Sequence, residues 1–301
     1  TMLDEKRIKA LLDEKQIKVL LDEKRVKAQP DEMGADCREI SQPGVRFDRI
    51  DCRETVDSTN TLVRMAAQAG APQGLVITAE EQTAGRGRRG RSWASPAGSN
   101  LYFSVLLRPD MDGGKAHMLT LPMALAVAQS VRSLGQEAQI KWPNDVVLGG
   151  KKICGILTEL YFDASPSETA GGRGYYVVVG TGINVNQPQI AEELSGRATS
   201  LFLETGRTLD RERLLAEVLE RFSQYYEIFL KTEDLGGLQK EYESLLANRG
   251  RQVEVLDPKG AWKGTALGIQ KTGELLVRRE DGAVEAVFAG EVSVRGIYGY
   301  V

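Results

Sequence analysis

Apolar and polar positions repeat with different periods along the chain, and these periods predict its elements. Alternating or continuous apolar runs typical of strands occur over 75–79, 101–107, 153–162 and 175–179. Helical periods occur from a Ser58 cap to Ala69, and over 115–134, 210–231 and 235–247. Because these strands and helices mix without regular βαβ alternation, we expect an α+β fold with a mixed sheet flanked by helices.

The pattern changes after Asn248. Short β-prone runs follow one another, separated by Pro- and Gly-containing turns, over 252–256, 266–269, 275–279 and 286–289. This spacing predicts a small antiparallel, SH3-like β-barrel. We therefore expect a larger domain over residues 46–247 and a C-terminal domain over residues 248–301.

The first 29 residues contain a nine-residue repeat with the sequence Leu-Asp-Glu-Lys at positions 3, 12 and 21. Each unit places Glu four residues before Lys, which favours a helix. Nine residues rotate a helix by about 900°, so Leu3 and Leu12 are expected on opposite faces. We interpret residues 1–45 as a poorly anchored helical arm followed by a Pro/Gly linker. The alternative is a partner-binding or dimerising helix, which leaves a homodimer open.

Composition excludes several classes of site. The three cysteines lack C-x-x-C spacing, and His117 is the single histidine, so zinc knuckles and multi-histidine metal sites are excluded. Ser-His-Asp and Cys-His triads would need His117 as their base. A net charge of −3 argues against a surface that binds nucleic acid non-specifically. Without a long apolar run or a signal-peptide pattern, we expect a cytoplasmic protein that does not span a membrane.

The strongest chemical signal is the run Gly85-Arg-Gly-Arg-Arg-Gly-Arg91. Four arginines in seven residues do not pack in a core, and the glycines allow the backbone to approach a ligand closely. Arginine forks suit phosphate or carboxylate groups. A solvated basic loop or an RNA-binding segment are the alternatives, and the second is disfavoured because the loop lies between two strong strands.

Three further motifs place polar groups or glycines at strand ends or on a hairpin. Lys141-Trp-Pro-Asn-Asp145 sets a cation beside polar acceptors, although an ordinary Asx corner would have the same composition. Gly149-Gly-Lys-Lys-Ile-Cys-Gly155 predicts a hairpin with Lys152 on the return strand, and Gly155 indicates close approach of a ligand or backbone. Gly180-Thr-Gly-Ile-Asn184 follows an apolar strand and is weak evidence by itself.

Taken together and in this order, the motifs resemble the biotin–protein ligase family. The resemblance covers residues 46–301 and rests on Asp57-Ser-Thr-Asn60, Gln82, the arginine run, Lys141–Asp145, Lys152-Ile-Cys-Gly155, Gly180–Asn184 and the closing Gly290-Glu-Val-Ser-Val-Arg295. It implies an enzyme that uses ATP and Mg²⁺ to activate biotin as biotinyl-5′-AMP. It also implies transfer of the biotinyl group to a lysine of a biotin carboxyl carrier protein of a carboxylase.

The same resemblance assigns site residues. Those implied to bind biotin are Ser58, Thr59, Asn60, Gln82, Arg86, Gly87, Arg88, Lys152 and Gly155. Those implied to bind ATP or the adenylate are Arg86, Arg88, Arg91, Trp93, Lys141, Asn144, Asp145 and Asn184. The implied catalytic residues are Lys141, Arg88 and Lys152. Asp145 is the candidate ligand of Mg²⁺.

Some family members carry an N-terminal winged helix-turn-helix and repress biotin synthesis. The first 45 residues here show no such pattern, so we expect a ligase that does not bind DNA. The alternatives left open are a lipoate or octanoyl ligase, which shares the fold and the two-step logic, and a biotin-responsive DNA-binding regulator.

Overall fold

The computed structural model describes residues 2–15, 45–163, 174–257, 260–289, 293–296 and 300–301. The repeat beyond Lys15, the linker to residue 44 and the first three residues of the closing Gly290–Arg295 motif lie outside the described residues. The predictions made for those parts stay predictions.

The predicted helices and strands occur in the predicted order, with bounds that differ at several ends. The structure adds elements that were not predicted, among them a helix over Leu201–Thr205 and strands over Arg49–Val56 and Ser293–Gly296. The helices are α1 (residues 5–15), α2 (Thr59–Gln68), α3 (Thr120–Arg132), α4 (Leu201–Thr205), α5 (Arg211–Thr232) and α6 (Gln239–Ser244). The strands are β1 (Arg49–Val56), β2 (Leu75–Gln82), β3 (Leu101–Leu107), β4 (Gln139–Lys141), β5 (Asp145–Leu148), β6 (Lys151–Phe162), β7 (Tyr175–Ile183), β8 (Gln252–Asp257), β9 (Gly260–Ile269), β10 (Leu275–Arg278), β11 (Val284–Val287) and β12 (Ser293–Gly296).

The large sheet has seven strands in the order β1-β2-β3-β7-β6-β5-β4. The β1–β2 pair is parallel and the others are antiparallel, so the sheet is mixed as expected. α2 packs on one face, while α3 packs on the other face and against α5. Every residue of the central strands β3 and β7 is buried, which explains why their sequences are continuous apolar runs.

The C-terminal region forms a separate antiparallel sheet of five strands in the order β11-β10-β9-β8-β12. Its short strands agree with the predicted turn-rich β pattern, and the predicted α+β class is confirmed. Within the described part of the chain, no helix combines the length and apolar character needed to cross a bilayer.

The expectation of a poorly anchored arm is wrong for residues 3–15. Leu3, Ile8 and Leu12 are 3%, 0% and 4% exposed and join the main core. The nine-residue period does not describe the buried face. Ile8 and Leu12, four residues apart on α1, form that face together with Leu3, which precedes the helix. The expected Glu5–Lys9 ion pair is present, at 2.7 Å.

Polar contacts add to this docking. The Leu3 N–H donates to Glu80 Oε1 at 2.7 Å, and Glu80 Oε2 is paired with the Arg211 guanidinium at 2.9 Å. Lys15 forms an ion pair with Glu217 of α5. The first described residues therefore satisfy a buried carboxylate on β2, the strand that ends at the candidate site.

Candidate active site

Two adjoining cavities lie between the large sheet, the arginine loop and the Lys141–Asp145 corner. The first, here called the small cavity, encloses about 50 Å³, and the second, here called the basic cavity, encloses about 680 Å³. Both are lined by Gly87, Arg88, Trp93, Asn144 and Lys152. Because they share these lining residues, the two cavities are adjacent.

Gln82 organises one wall of the small cavity. Its Oε1 accepts hydrogen bonds from the Thr59 backbone N–H at 3.0 Å and from the Thr59 hydroxyl at 3.2 Å. Its Nε2 donates to Ser95 Oγ at 2.9 Å. Ser58 takes the N-cap position of α2, but its side chain makes no capping bond, contrary to the usual role of a capping serine.

Asn60 is held by two residues that the sequence did not single out. Its Oδ1 accepts from Ser104 Oγ at 2.5 Å, and its Nδ2 donates to Glu159 Oε2 at 2.7 Å. The same Glu159 oxygen accepts from Arg86 at 3.1 Å. Ser104 could have been noticed as a polar residue within an apolar strand. Glu159 lies four positions beyond Gly155 on β6, and therefore on the same side of the strand.

Glycines form the floor of the small cavity. Gly155 and Gly182 are opposite one another across β6 and β7, and the indole of Trp93 lies on both. A Cβ atom at Gly182 would lie 2.5 Å from Trp93 Nε1, and one at Gly180 would lie 1.9 Å from Asn60 Oδ1. The weak Gly180-Thr-Gly motif therefore has a physical reason: larger residues would displace Trp93 and Asn60 from the sheet.

The arginine loop connects the large sheet to the C-terminal region through Arg88. Its guanidinium donates to Asn144 Oδ1 at 3.0 Å and to the carbonyl of Ala289. Burial lowers the pKa of Arg88 and the nearby Asp145 carboxylate opposes that shift, yet the guanidinium remains charged because its ordinary pKa is so high. The loop thus holds a desolvated cation at the junction of the two cavities.

Positive charge dominates the basic cavity. Asp145 is its one acidic lining residue among the described residues, whereas six are basic: Arg88, Arg89, Arg91, Lys141, Lys152 and Arg197. Lys152 Nζ lies 2.6 Å from Asp145 Oδ1. Lys141 Nζ lies 3.4 Å from the ring centroid of Tyr300, a residue that the sequence did not indicate. Such a cavity suits a polyanion.

The structure brings together nearly all the predicted site residues. Every residue assigned to biotin or ATP lines one of the two cavities except Asn184. Asn184 is 7% exposed, and its side-chain amide donates to the carbonyl of Thr199 at 3.0 Å. Its assignment stays a prediction that these contacts do not support.

Asp145 supplies the one carboxylate among the described lining residues of the basic cavity that could bind a Mg²⁺ ion. The described residues contain no cluster of three or more His, Cys, Asp or Glu side chains suited to a metal. Mg²⁺ in nucleotide sites is commonly held by one or two carboxylates and by the phosphates themselves. Asp145 therefore fits as a single protein ligand for a metal that arrives with a nucleotide.

Family models match two parts of the chain. The Biotin/lipoate A/B protein ligase family matches residues 53–184, and the Biotin protein ligase C terminal domain matches residues 250–295. The first span contains all the predicted site residues. The second covers most of the five-stranded sheet.

Individual proteins agree with these matches. The chain is 33% identical over 241 residues to the bifunctional ligase/repressor BirA of Escherichia coli, covering 80% of this chain and 72% of that protein. It is 32% identical to the biotin–[acetyl-CoA-carboxylase] ligase of Paracoccus denitrificans, covering 78% of this chain and 98% of that protein.

A solved structure of a biotin protein ligase from Aquifex aeolicus, in complex with biotin and ATP, superimposes with a TM-score of 0.68. The two chains are 32% identical, and the match covers 83% of this chain and 100% of the other. With the motif residues gathered around two adjoining cavities, these likenesses show that the chain belongs to the biotin protein ligase family, a family of ligase enzymes.

Proposed function

We propose that the chain activates biotin with ATP as biotinyl-5′-AMP and transfers the biotinyl group to a lysine of a biotin carboxyl carrier domain. The observation that carries this proposal is the arrangement of the two cavities. A small cavity lined by hydrogen-bonding side chains opens beside a basic cavity, and Arg88 and Lys152 belong to both. A carboxylate in the first would face a phosphate in the second across these two cations.

Biotin would occupy the small cavity, with Thr59, Asn60 and Gln82 contacting its ring system. At about 50 Å³ the small cavity is smaller than a typical ligand site. We therefore expect the arginine loop, which carries Arg86 and Arg88, to shift when biotin enters and then to close over its carboxylate. Arg86 is suited to such movement, because its ion pair with Glu159 is partly exposed.

ATP would occupy the basic cavity, which at about 680 Å³ is large enough for a nucleotide. Lys141, Lys152 and Arg91 would neutralise its phosphates. Asp145 would hold a Mg²⁺ ion that arrives with ATP, and that ion would supply further positive charge beside the phosphates.

The chemistry needs no nucleophile from the enzyme. A biotin carboxylate oxygen attacks the α-phosphorus, the bond to the β-phosphate oxygen breaks, and pyrophosphate leaves. The neutral amine of the carrier lysine then attacks the acyl carbon, and AMP leaves. Because both reactants of the first step are anions, Arg88, Lys141 and Lys152 act by positioning and by stabilising charge in the transition state.

The acceptor and the compartment belong to the same proposal. The relative from Paracoccus denitrificans is named for acetyl-CoA carboxylase, which supports a carboxylase carrier domain as the acceptor. We place this reaction in the cytoplasm, consistent with the free thiols Cys52 and Cys154.

The test is exchange of labelled pyrophosphate into ATP, measured with biotin, lipoate or octanoate as the acid. Exchange that depends on biotin, followed by labelling of a carrier domain, is the expected result. Exchange with lipoate or octanoate instead of biotin would overturn the substrate assignment. Arg88→Ala should release the adenylate early and label bystander lysines, because the loop would close less completely over the intermediate.

A further inference from the structure

Tyr300 lies in the basic cavity and contacts two residues that the nucleotide would need. Its hydroxyl donates to Asp145 Oδ2 at 2.5 Å, and its ring faces the Lys141 ammonium at 3.4 Å from the ring centroid. Cations are attracted to the face of an aromatic ring at such distances. The ring and hydroxyl thus engage a cation and an anion of the same site.

These contacts take up positions that a nucleotide would use. Lys141 is 6% exposed, and its ammonium lies against the ring, so an anion approaching on that side must displace Tyr300. Asp145 is engaged on both oxygens, by Lys152 at Oδ1 and by Tyr300 at Oδ2. A metal accompanying the nucleotide would have to replace at least one of these partners.

The anchor that holds Tyr300 in place is small. Val301 is 8% exposed and belongs to a separate apolar cluster with Val147 and Ala247, against which Tyr300 packs. This cluster is distinct from the main core. Release of Tyr300 and Val301 therefore removes few apolar contacts and leaves the core of the domain intact.

Neither family model reaches this residue, since the second match ends at residue 295. We propose that Tyr300 controls access to the nucleotide cavity by occupying Lys141 and Asp145, and that ATP binds by displacing it. This inference rests on the proposed function, because it needs ATP as the ligand of the basic cavity. Tyr300 would compete with ATP for Lys141 and Asp145.

The test is isothermal calorimetry of the full chain with Mg-ATP in the absence of biotin, alongside the pyrophosphate exchange assay. Tyr300→Ala should bind ATP roughly 5- to 10-fold more tightly than the parent, because the competing ring is gone. Tyr300→Phe keeps the ring over Lys141 but loses the bond to Asp145, so its gain should be smaller. Val301→Ala weakens the anchor and should change affinity in the same direction.

Trp262→Ala is the matched control. Its ring also packs under a cation, with Arg279 at 3.8 Å from the centroid, but it lies on the five-stranded sheet outside the basic cavity. Its ATP affinity should equal that of the parent. Weaker or unchanged ATP binding in both Tyr300 variants would overturn the access role.

The two assays distinguish loss of the access role from loss of the proposed function. Failure of the access role alone leaves biotin-dependent exchange intact in the parent, with no gain in ATP affinity in the Tyr300 variants. A parent chain that neither binds ATP nor shows biotin-dependent exchange overturns the proposed function, and the access role with it.

Discussion

Lys152 Nζ lies 2.6 Å from Asp145 Oδ1, where the small and basic cavities meet. The preceding residue on β6, Lys151, instead lies 3.6 Å from Glu204 Oε1 and is outside both cavities. Successive side chains of a strand point to opposite faces, so two adjacent lysines serve different surroundings. Substituting Lys152 or Lys151 therefore compares the loss of a lysine that lines the cavities with the loss of one on the opposite face of the same strand.

Lys152→Met should lower the rate of biotin-dependent pyrophosphate exchange by roughly 10²–10³, the usual loss when one electrostatic stabiliser of a transition state is removed. Lys151→Met should leave that rate near the parent value. Equal losses in the two variants would mean that Lys152 acts through general surface charge. Titration with biotin alone separates a loss in rate from a loss in binding.

Glu159→Gln should weaken biotin binding by about tenfold, because Glu159 accepts the hydrogen bond that orients the Asn60 amide. Loss of one charge-assisted hydrogen bond typically costs about 1.5–3 kcal/mol, of which the glutamine amide oxygen should recover a part. Calorimetry with biotin measures the effect. Glu137→Gln, at a carboxylate that is 85% exposed, is the control. Unchanged affinity in Glu159→Gln would show that the Asn60 orientation does not depend on this carboxylate.

Ile8→Ala should lower the free energy of unfolding by about 2–5 kcal/mol, the usual cost of truncating a fully buried isoleucine. Urea unfolding measures the change, and limited proteolysis should detect easier cleavage within residues 3–15. Met2→Ala is the control in the same segment, since Met2 is 54% exposed. An unfolding midpoint equal to that of the parent would mean that α1 contributes nothing to stability.

Stability should fall at alkaline pH in part because of Cys52. Burial, reinforced by acidic groups that include Glu5 of α1, raises the pKa of this thiol from 9.0 to about 12. Above pH 9 the thiol of Cys52 ionises in the unfolded chain but stays protonated in the folded chain. This ionisation lowers the free energy of the unfolded state relative to the folded state, so stability declines between pH 9 and 12. Urea unfolding at pH 7.5, 9 and 10.5 should show a shallower decline in Cys52→Ala than in the parent.

The site could be predicted from the sequence wherever its residues lie close together along the chain. Lys141, Asn144 and Asp145 share one turn, and the arginine loop is continuous, so local pattern was sufficient. Glu159 was missed because a charged residue in a strand half exposed to solvent is unremarkable by sequence. Tyr300 reaches Asp145 across 155 positions of the chain, a distance over which composition and periodicity carry no information.

The fold shows the same division. β3 and β7 were predicted from their apolar runs because they are buried on both faces. The strand ending at Lys141 and the hairpin before Gly155 were predicted too, and they correspond to β4 and to the β5–β6 pair. β1 was not predicted, since it is an exposed edge strand. The docking of α1 was missed for another reason. The nine-residue leucine repeat does not include Ile8. This residue lies between Leu3 and Leu12 and forms the buried face of α1 with Leu12.

The hydrogen bond between Arg88 and the carbonyl of Ala289 has a consequence for changes near residue 289. The acceptor is a main-chain atom, so the bond itself does not depend on the identity of the side chain at position 289. The packing of Ala289 against the main core is a separate constraint on that side chain. A change in the backbone path at Ala289 would therefore disturb Arg88 even where residue 289 stays alanine.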